Sequence, residues 1–212
     1  LQLLDEYVDK LVRAEQGEGG DPEVVRNAIT KLLRRSREGT ERVKQIVQDL
    51  RTFSRMDQAE SQIADLHEEI DRTLALMEPR LKNKIKVVRE YGDIPEVRCY
   101  PGQLNQVFLN LLMNACDALG DGGTITISTE RSERGVRLEF RDDGPGIPLD
   151  VQSRIFDPFF TTKEVGKGTG LGLSLSHGII ERHGGRFLVY SEPGEGASFV
   201  IDLPLDAGMA GD

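Results

Sequence analysis

Apolar residues recur every three or four positions near the start of the chain, which is the spacing of one face of an α-helix. An apolar stripe from Leu1 to Leu11 predicts a first helix over residues 1–16. From Pro22 to about residue 56 the stripe keeps a heptad period for about four heptads, the pattern of helices packed side by side in a bundle. The alternative interpretation is one long helix on the surface of a globular domain.

The two predicted helices differ in length. At 1.5 Å per residue the second would be about 52 Å long and the first only about 24 Å. An antiparallel hairpin of these two helices would leave much of the second helix unpaired. We therefore predict that the first helix extends upstream of Leu1.

After a polar hinge predicted at residues 57–63, the pattern changes to shorter elements. Asp65 is a suitable N-cap, and Glu68 three residues later completes a capping-box pattern. Alternation of apolar and polar residues predicts strands, two of them joined as a hairpin around RSERG. The predicted strands cover residues 84–91, 96–100, 124–130, 135–142, 186–192 and 197–204, and the predicted helices cover 65–81, 103–119 and 170–183, with a loop at 143–169 and a disordered tail after Leu205.

This order of elements predicts an α+β protein with two domains. Residues 1–59 would form a helical hairpin. Residues 60–212, which mix strands and helices, would form a two-layer α/β sandwich.

Composition excludes some functions. The 212 residues carry a formal net charge of −9, and this disfavours nucleic acid as a ligand because phosphate backbones bind basic surfaces. No uninterrupted apolar run is long enough to span a membrane. Cys99 and Cys116 lack metal-ligand spacing, which indicates packing residues in a reduced, cytosolic compartment. No signal peptide is visible at Leu1, and a start in mid-helix without Met predicts a fragment.

Two amide side chains interrupt the apolar helix at 103–119. Asn110 and Asn114 are one turn apart and share a face, and Asp117 follows three residues later. A buried amide costs about 1–3 kcal/mol unless it is hydrogen-bonded, so the pair needs a role. An Asn carbonyl oxygen is a suitable ligand for Mg²⁺, whose other positions hold water and phosphate oxygens. The alternative is a structural Asn that bonds a loop.

The stretch DDGPGIP combines a carboxylate with a flexible backbone. Asp142 ends a predicted strand, and Gly144 and Gly146 allow the chain to turn and pass close to a flat ligand. The carboxylate would accept a hydrogen bond from an exocyclic amine such as that of adenine. The alternative is a strand-ending turn with solvated acids.

Two further blocks suggest a phosphate site. IFDPFFTTK, residues 155–163, places three phenylalanines in a loop, where they would clamp a mobile segment, and Lys163 and Lys167 would pair with phosphate. GKGTGLGL, residues 166–173, opens a helix, where backbone N–H groups favour anions. It is not a P-loop, because the motif GxxxxGK[ST] occurs nowhere in the chain, and it is not a dinucleotide fingerprint, because no strand precedes the glycines. The alternative for the first block is a packed loop with solvated lysines.

The order of these four blocks resembles the ATP-binding domain of sensor histidine kinases, the Bergerat fold shared with gyrase, Hsp90 and MutL. NLLMNACDAL resembles its N box, DDGPGIP its G1 box, IFDPFFTTK its F box and GKGTGLGL its G2 box, so the likeness covers about residues 62–205. The upstream helices resemble the dimerisation and phosphotransfer hairpin of that family, with RTFSR at its exit. This implies a homodimer in which two hairpins form a four-helix bundle.

The resemblance implies a site for ATP or ADP with Mg²⁺. Asn114 would hold the metal, Asn110 would position phosphate, and Asp142 would bind the adenine amine, with Ser198 acting through water. Residues 148–169 would form an ATP lid, and Asn110 and Lys163 are the implied catalytic residues. The residues implied in nucleotide binding are Asn110, Asn114, Asp117, Asp142, Gly144, Gly146, Ile147, Phe156, Phe160, Thr161, Thr162, Lys163, Lys167, Gly168, Thr169, Gly170, Leu171, Gly172, Leu173 and Ser198.

One of these positions departs from the family pattern. Many histidine kinases carry Lys at the position of Asp117. A cationic phosphate contact is therefore missing there, and Lys163 or Lys167 would replace it.

The resemblance also implies a reaction and partners. An imidazole would take the γ-phosphate of ATP and pass it to an Asp of a response-regulator receiver domain. The implied location is cytoplasmic, with no nucleic acid bound and no membrane contact by this fragment; whether the parent protein is membrane-anchored is left open.

None of the three histidines matches the acceptor pattern. His177 and His183 are predicted to be structural, His183 at a helix end where a cation suits the helix dipole. His67 precedes a Glu as in the acceptor motif, but it follows the hairpin. The acceptor is therefore predicted upstream of Leu1.

Two other functions remain open. One is a gyrase- or chaperone-like ATPase, but the position of its Glu base, four residues before the Mg²⁺-binding Asn, is here Asn110, which cannot take a proton. The other is a nucleotide-binding dimer scaffold without transfer activity.

Overall fold

The computed structural model describes residues 8, 10, 12–14, 16, 21–55, 60–163 and 168–206. It divides into two compact units, one of residues 1–48 with 162–169 and one of residues 49–161 with 170–212. The predicted domain boundary between residues 59 and 60 stays a prediction. No helix in the described ranges is both long enough and apolar enough to cross a membrane.

The long predicted helix is confirmed as α1, Pro22–Arg55. It begins as its sequence indicates, because Asp21 Oδ1 accepts a hydrogen bond from the Glu23 N–H at 2.9 Å and Pro fits the first helical position. Of the first predicted helix, residues 8, 10 and 12–14 are described and are helical, and the rest lies outside the described residues. Whether two copies form a bundle stays a prediction.

The second unit contains seven strands in its described residues: β1 Gln62–Ala64, β2 Ile85–Tyr91, β3 Val97–Cys99, β4 Gly123–Ser132, β5 Gly135–Asp142, β6 Arg186–Ser191 and β7 Ala197–Pro204. Five of them form one layer as a sheet in the order β2-β4-β5-β7-β6. All neighbours in this sheet are antiparallel except β2 and β4, which are parallel. A small antiparallel sheet pairs β1 with β3.

Three helices form the second layer, α2 (Leu66–Leu81), α3 (Pro101–Leu119) and α5 (Gly172–Arg182). Asp65 caps α2 as predicted, accepting from the N–H groups of residues 67 and 68. The apolar faces of the helices pack with inward strand residues, and Phe108, Ile127, Leu138, Ile180 and Ile201 are fully buried. This layered arrangement confirms the predicted fold class.

Three details differ from the prediction. Residues 62–63 of the predicted hinge belong to β1, whose three residues are too few for a periodic signal and are held by pairing with β3. The predicted loop contains the short helix α4, Leu149–Gln152. Asp206, the first residue of the tail predicted to be disordered, forms a parallel β-bridge with Arg98, and the Arg98 N–H donates to the Leu205 carbonyl at 2.9 Å.

His183 corrects the charge predicted for the end of α5. The residue is fully buried, its Nδ1 lies 2.7 Å from the Ile179 carbonyl, and the Tyr100 N–H donates to Nε2 at 3.1 Å. One ring nitrogen donates and the other accepts, which requires the neutral imidazole. Burial lowers the pKa of His183 below its usual value. The structural role is as predicted, but the ring is neutral.

We expect the His183 ring to make stability depend on pH. Below about pH 6.5 the imidazole of the unfolded chain gains a proton while the buried native ring does not, so acidification favours unfolding. Urea unfolding between pH 8 and pH 5 should therefore show a smaller pH-dependent loss for His183→Gln, which does not titrate, than for the wild-type chain. Equal pH dependence in the two proteins would contradict this expectation.

Candidate functional site

The amide pair lies on the half-buried side of α3. Phe108, Leu111 and Leu112 anchor the opposite side in the core, and Phe108 stacks on Phe140 of β5 with 5.5 Å between ring centroids. Asn110 and Asn114 are partly exposed on the helix. The apolar anchoring therefore fixes the direction in which the amide side chains project.

Asn110 connects α3 to the start of α5. Its Nδ2 donates to Ser176 Oγ at 3.0 Å. Gly172, the first residue of α5, lies so close that a Cβ there would collide with the Asn110 side chain. The structure thus brings the end of the glycine-rich segment to the amide helix, as the nucleotide prediction requires, and it gives Asn110 a bracing role that the sequence did not indicate.

Asp142 is a buried carboxylate at the end of β5, with 5% of its surface exposed. The N–H of Gly144 donates to its Oδ1 at 3.0 Å, and the N–H of Ala197 also donates to the carboxylate. Burial raises the pKa of Asp142, and the nearby charge of Asp143 adds to the rise, against the two N–H donors. A desolvated acceptor of this kind is suited to the amine of a nucleobase.

The loop after Asp142 is held by side chains that the sequence analysis missed. Ser191 Oγ accepts from the Ile147 N–H at 2.8 Å and donates to the Gly196 carbonyl at 2.6 Å. Gln152 Nε2 donates to the carbonyls of Ile147 and Ser191 at 2.7 and 2.8 Å. Gly146 has φ of 73° and packs against the Glu192 carbonyl, where a Cβ would collide. The one feature of the sequence that could have indicated this support of the loop is Ser191, a polar residue at an inward position of β6.

Ser198 does not lie beside Asp142, contrary to the prediction. Side chains alternate along a strand, and Ala197 is the β7 residue in register with Asp142. Ser198 points to the opposite face of the sheet, where its Oγ donates to Glu139 Oε1 at 2.5 Å. A one-residue step in a strand therefore removes Ser198 from the predicted adenine contacts.

The phenylalanine loop packs partly as predicted. Phe156 contacts His177 and Phe187, with ring centroids 5.1 and 5.2 Å apart. Arg154 lies over the Phe160 ring at 4.4 Å. Both phenylalanines also pack against the buried core, so they attach this part of the predicted lid to the body of the fold.

Phe159 is the exception, because its ring is 68% exposed and its φ is 68°. Its N–H donates to the Gly170 carbonyl at 2.9 Å. Gly170 has φ of 68° as well, and a Cβ there would collide with the Phe159 backbone. Left-handed backbone at a residue with a side chain is uncommon and is concentrated at functional sites.

Asp117 is paired with a cation from a neighbouring helix. Arg80 Nη1 of α2 lies 3.3 Å from Asp117 Oδ1. A carboxylate is thus present on the amide face of α3, one turn beyond Asn114, and a positive charge accompanies it.

For the other residues that were predicted to bind nucleotide, the structure shows their positions but not a contact with a nucleotide. Leu171 and Leu173 are half-buried at the start of α5, and Thr161 is exposed. Thr162, Lys163, Gly168 and Thr169 are in irregular backbone of the other compact unit, so their contact with phosphate stays a prediction. Lys167 lies outside the described residues.

A magnesium site through Asn114 fits the residues present. In the described ranges no group of three or more His, Cys, Asp or Glu side chains could hold a metal ion by itself. Magnesium is usually held by one or two protein oxygens together with phosphate oxygens and water. The partly exposed amide oxygen of Asn114, one helical turn from the Asn110 that contacts the start of α5, is a donor set of this kind.

Comparison with known proteins agrees with this geometry. Residues 99–207 match the family of histidine kinase-, DNA gyrase B- and HSP90-like ATPases. The chain belongs to this family. The matched range contains the amide helix, Asp142, the phenylalanine loop and the glycine-rich segment.

Individual members of the family with similar sequences or structures are histidine kinases. The sensor kinase CckA of Brucella abortus (strain 2308) is 38% identical over 184 residues, 79% of this chain and 20% of CckA. The catalytic domain of histidine kinase ThkA superposes with a TM-score of 0.64 at 34% identity, covering 69% of this chain and 97% of that domain.

Two larger solved assemblies are also similar. ThkA in complex with the response regulator protein TrrA gives a TM-score of 0.66 at 26% identity, covering 96% of this chain and 59% of that one. Full-length ShkA in complex with AMPPNP gives a TM-score of 0.69 at 26% identity, covering 97% and 45%. The chain thus spans less than half of CckA and ShkA.

Proposed function

We propose that the chain is the catalytic core of a sensor histidine kinase that binds ATP with Mg²⁺. The observation that carries this proposal is the meeting of Asn110 on the amide helix with Gly172 and Ser176 at the start of α5, together with the desolvated Asp142 at the end of β5. The AMPPNP bound by ShkA and the response regulator bound by ThkA support it.

The protein groups would act mainly by positioning and by neutralising charge. Asp142 would accept a hydrogen bond from the adenine amine, and Asn114 would hold Mg²⁺, which when bound neutralises charge on the phosphates. Asn110 would fix the start of α5, whose N–H groups favour the phosphate oxygens. Lys163 would add a positive charge from the lid. An acceptor imidazole nitrogen would then attack the γ-phosphorus in line, while the bond from this phosphorus to the bridging oxygen of the β-phosphate breaks and ADP leaves.

The chemistry of Asn110 also favours a kinase over an ATPase. An amide cannot remove a proton from water, and the Asn110 amide nitrogen is used by Ser176 at 3.0 Å. A nucleophile brought by another part of the protein, such as an imidazole, fits this site better than water activated by Asn110.

The acceptor and the partners belong to the same proposal. His183 is buried and neutral, and His67 stacks on Tyr91 at 4.4 Å with its Nε2 2.8 Å from Thr129 Oγ1. His177 lies 3.3 Å from Glu181. We infer that the acceptor is a histidine other than these three. We also infer a homodimer formed through the helical hairpin and transfer to a response-regulator receiver domain in the cytoplasm.

Calorimetry with ATP and Mg²⁺ tests the proposal. We expect the wild-type chain to bind, and Asn114→Ala to lose about tenfold in affinity for ATP with Mg²⁺ while losing little for ADP in EDTA, because the lost ligand serves the metal. Gln106→Ala, another amide change on α3, serves as the control. No binding by the wild-type chain would contradict the proposal.

A labelling experiment then separates kinase from ATPase. A form of the protein that carries the acceptor histidine should become labelled by γ-labelled ATP in an acid-labile form, and the label should pass to a receiver domain. Rapid release of free phosphate without labelled protein would favour the ATPase.

A further inference from the structure

The amide face of α3 carries a negative charge where the proposed function places a polyphosphate. Asp117 follows Asn114 by three residues and Asn110 by seven, so all three share one side of the helix. Its side chain is 38% exposed and therefore accessible to a ligand on that side. A bare carboxylate there would repel the phosphate groups.

Arg80 supplies the opposite charge from the next helix. Its Nη1 lies 3.3 Å from Asp117 Oδ1, and its side chain is 52% exposed. The two residues lie in the last turns of α2 and α3, which run side by side. Asn105 fixes this pairing at the other end, where its Nδ2 donates to Glu69 and Thr73 Oγ1 donates to its Oδ1.

The chemistry of arginine allows it to contact two anions at once. A guanidinium carries five N–H donors on more than one edge, and it stays protonated at any relevant pH. Contact with one Asp117 oxygen uses part of this capacity. The same group can therefore hold the carboxylate on one edge and a phosphate oxygen on another.

We propose that Arg80 is a phosphate-contacting residue of the nucleotide site and that it cancels the charge of Asp117. This inference rests on the proposed nucleotide binding. It assigns the cationic phosphate contact to α2, whereas the sequence analysis placed it on Lys163 or Lys167 of the lid.

An ordinary surface ion pair predicts something different. Such a pair contributes little to stability and nothing to ligand affinity. A phosphate contact must instead depend on the number of phosphate groups in the ligand. Adenosine, AMP, ADP and ATP therefore form a series in which only the charge that Arg80 would contact changes.

The test measures the affinities of this series for four proteins: wild type, Arg80→Ala, Asp117→Asn and the double variant. For Arg80→Ala we expect unchanged affinity for adenosine and about a five- to tenfold loss of affinity for ATP. The variant loses the attraction between Arg80 and the phosphate groups, and the charge of Asp117, no longer cancelled, repels them. Asp117→Asn should not weaken ATP binding. The double variant should recover part of the loss because the repulsion is removed.

A matched arginine outside the amide face controls for loss of a surface charge. Arg89 pairs with Asp71 of α2 at 2.8 Å and is 46% exposed, close to the exposure of Arg80. Arg89→Ala should leave the whole nucleotide series unchanged. The loss for Arg80→Ala should also decrease at high salt, where charge interactions are screened.

The possible results separate this inference from the proposed function. If wild type binds ATP and Arg80→Ala binds ATP equally well, Arg80 has no part in the site and the inference is overturned. An equal loss for adenosine and ATP also overturns it, because that result indicates a change in the fold. If wild type binds no adenine nucleotide, the proposed function fails first and the inference fails with it.

Discussion

Replacement of Asp142 by Asn should weaken nucleotide binding by about 10- to 100-fold, the value of one hydrogen bond to a charged group. The carboxylate is 5% exposed, and the N–H groups of Gly144 and Ala197 orient it. An Asn has a single acceptor oxygen, for which these two donors would compete with the adenine amine. The variant therefore loses the acceptor that the nucleobase needs.

Comparison of ADP with IDP makes this prediction specific. Inosine lacks the exocyclic amine, so wild type should prefer ADP to IDP by about tenfold or more. The preference should nearly disappear in Asp142→Asn. Calorimetry measures both affinities, and a preference that survives the substitution would show that Asp142 does not contact the amine.

The same substitution should change the free energy of unfolding by an amount that depends on pH. Burial raises the pKa of Asp142 in the native state, so the ionised form costs stability, and this cost appears as the pH rises through the native pKa. Asn does not ionise. The free energy of unfolding of Asp142→Asn relative to wild type should therefore increase between pH 4 and pH 7 in urea titrations.

Asp143→Asn is the matched control for the two binding measurements, the affinity and the preference for ADP. Asp143 is exposed, and its Oδ1 accepts from the Thr124 N–H at 2.7 Å on the neighbouring strand. We expect this variant to keep both its nucleotide affinity and its preference for ADP. Equal losses in the two variants would contradict the assigned role of Asp142.

Replacement of Phe108 by Ala should lower the free energy of unfolding by about 3–5 kcal/mol. Phe108 is fully buried on α3 and stacks on Phe140 of β5. The change removes apolar contacts and leaves a cavity in a close-packed interior. Since domains are stable by only about 5–15 kcal/mol, much of the margin would be lost.

This core contact also supports the site. Phe108 and Phe140 each lie two residues before a site residue, Asn110 on α3 and Asp142 on β5. Urea unfolding of Phe108→Ala measures the stability, and Phe108→Leu provides a milder change that keeps most of the volume. Leu109→Ala is the control, since Leu109 is 37% exposed. A small loss in Phe108→Ala would mean that α3 is not anchored at this point.

The sequence by itself determined the layered α+β fold and most element boundaries. The prediction of β7 at residues 197–204 coincides with its observed range, and Asp65 caps α2 as expected. These features depend on local periodicity, capping and turn chemistry, which are written in neighbouring residues. The four blocks were likewise local strings, and their order was sufficient to indicate the family.

Tertiary structure decided which side chains meet. Strand register moved Ser198 to the opposite face from Asp142, and burial between Ile179 and Tyr100 made His183 neutral. The contacts of Asp117 with Arg80 and of Ser191 with Ile147 join residues that are far apart in the chain. No local pattern encodes such pairs, because they depend on how helices and strands pack, and packing fixes both the distance between two charged groups and their access to water.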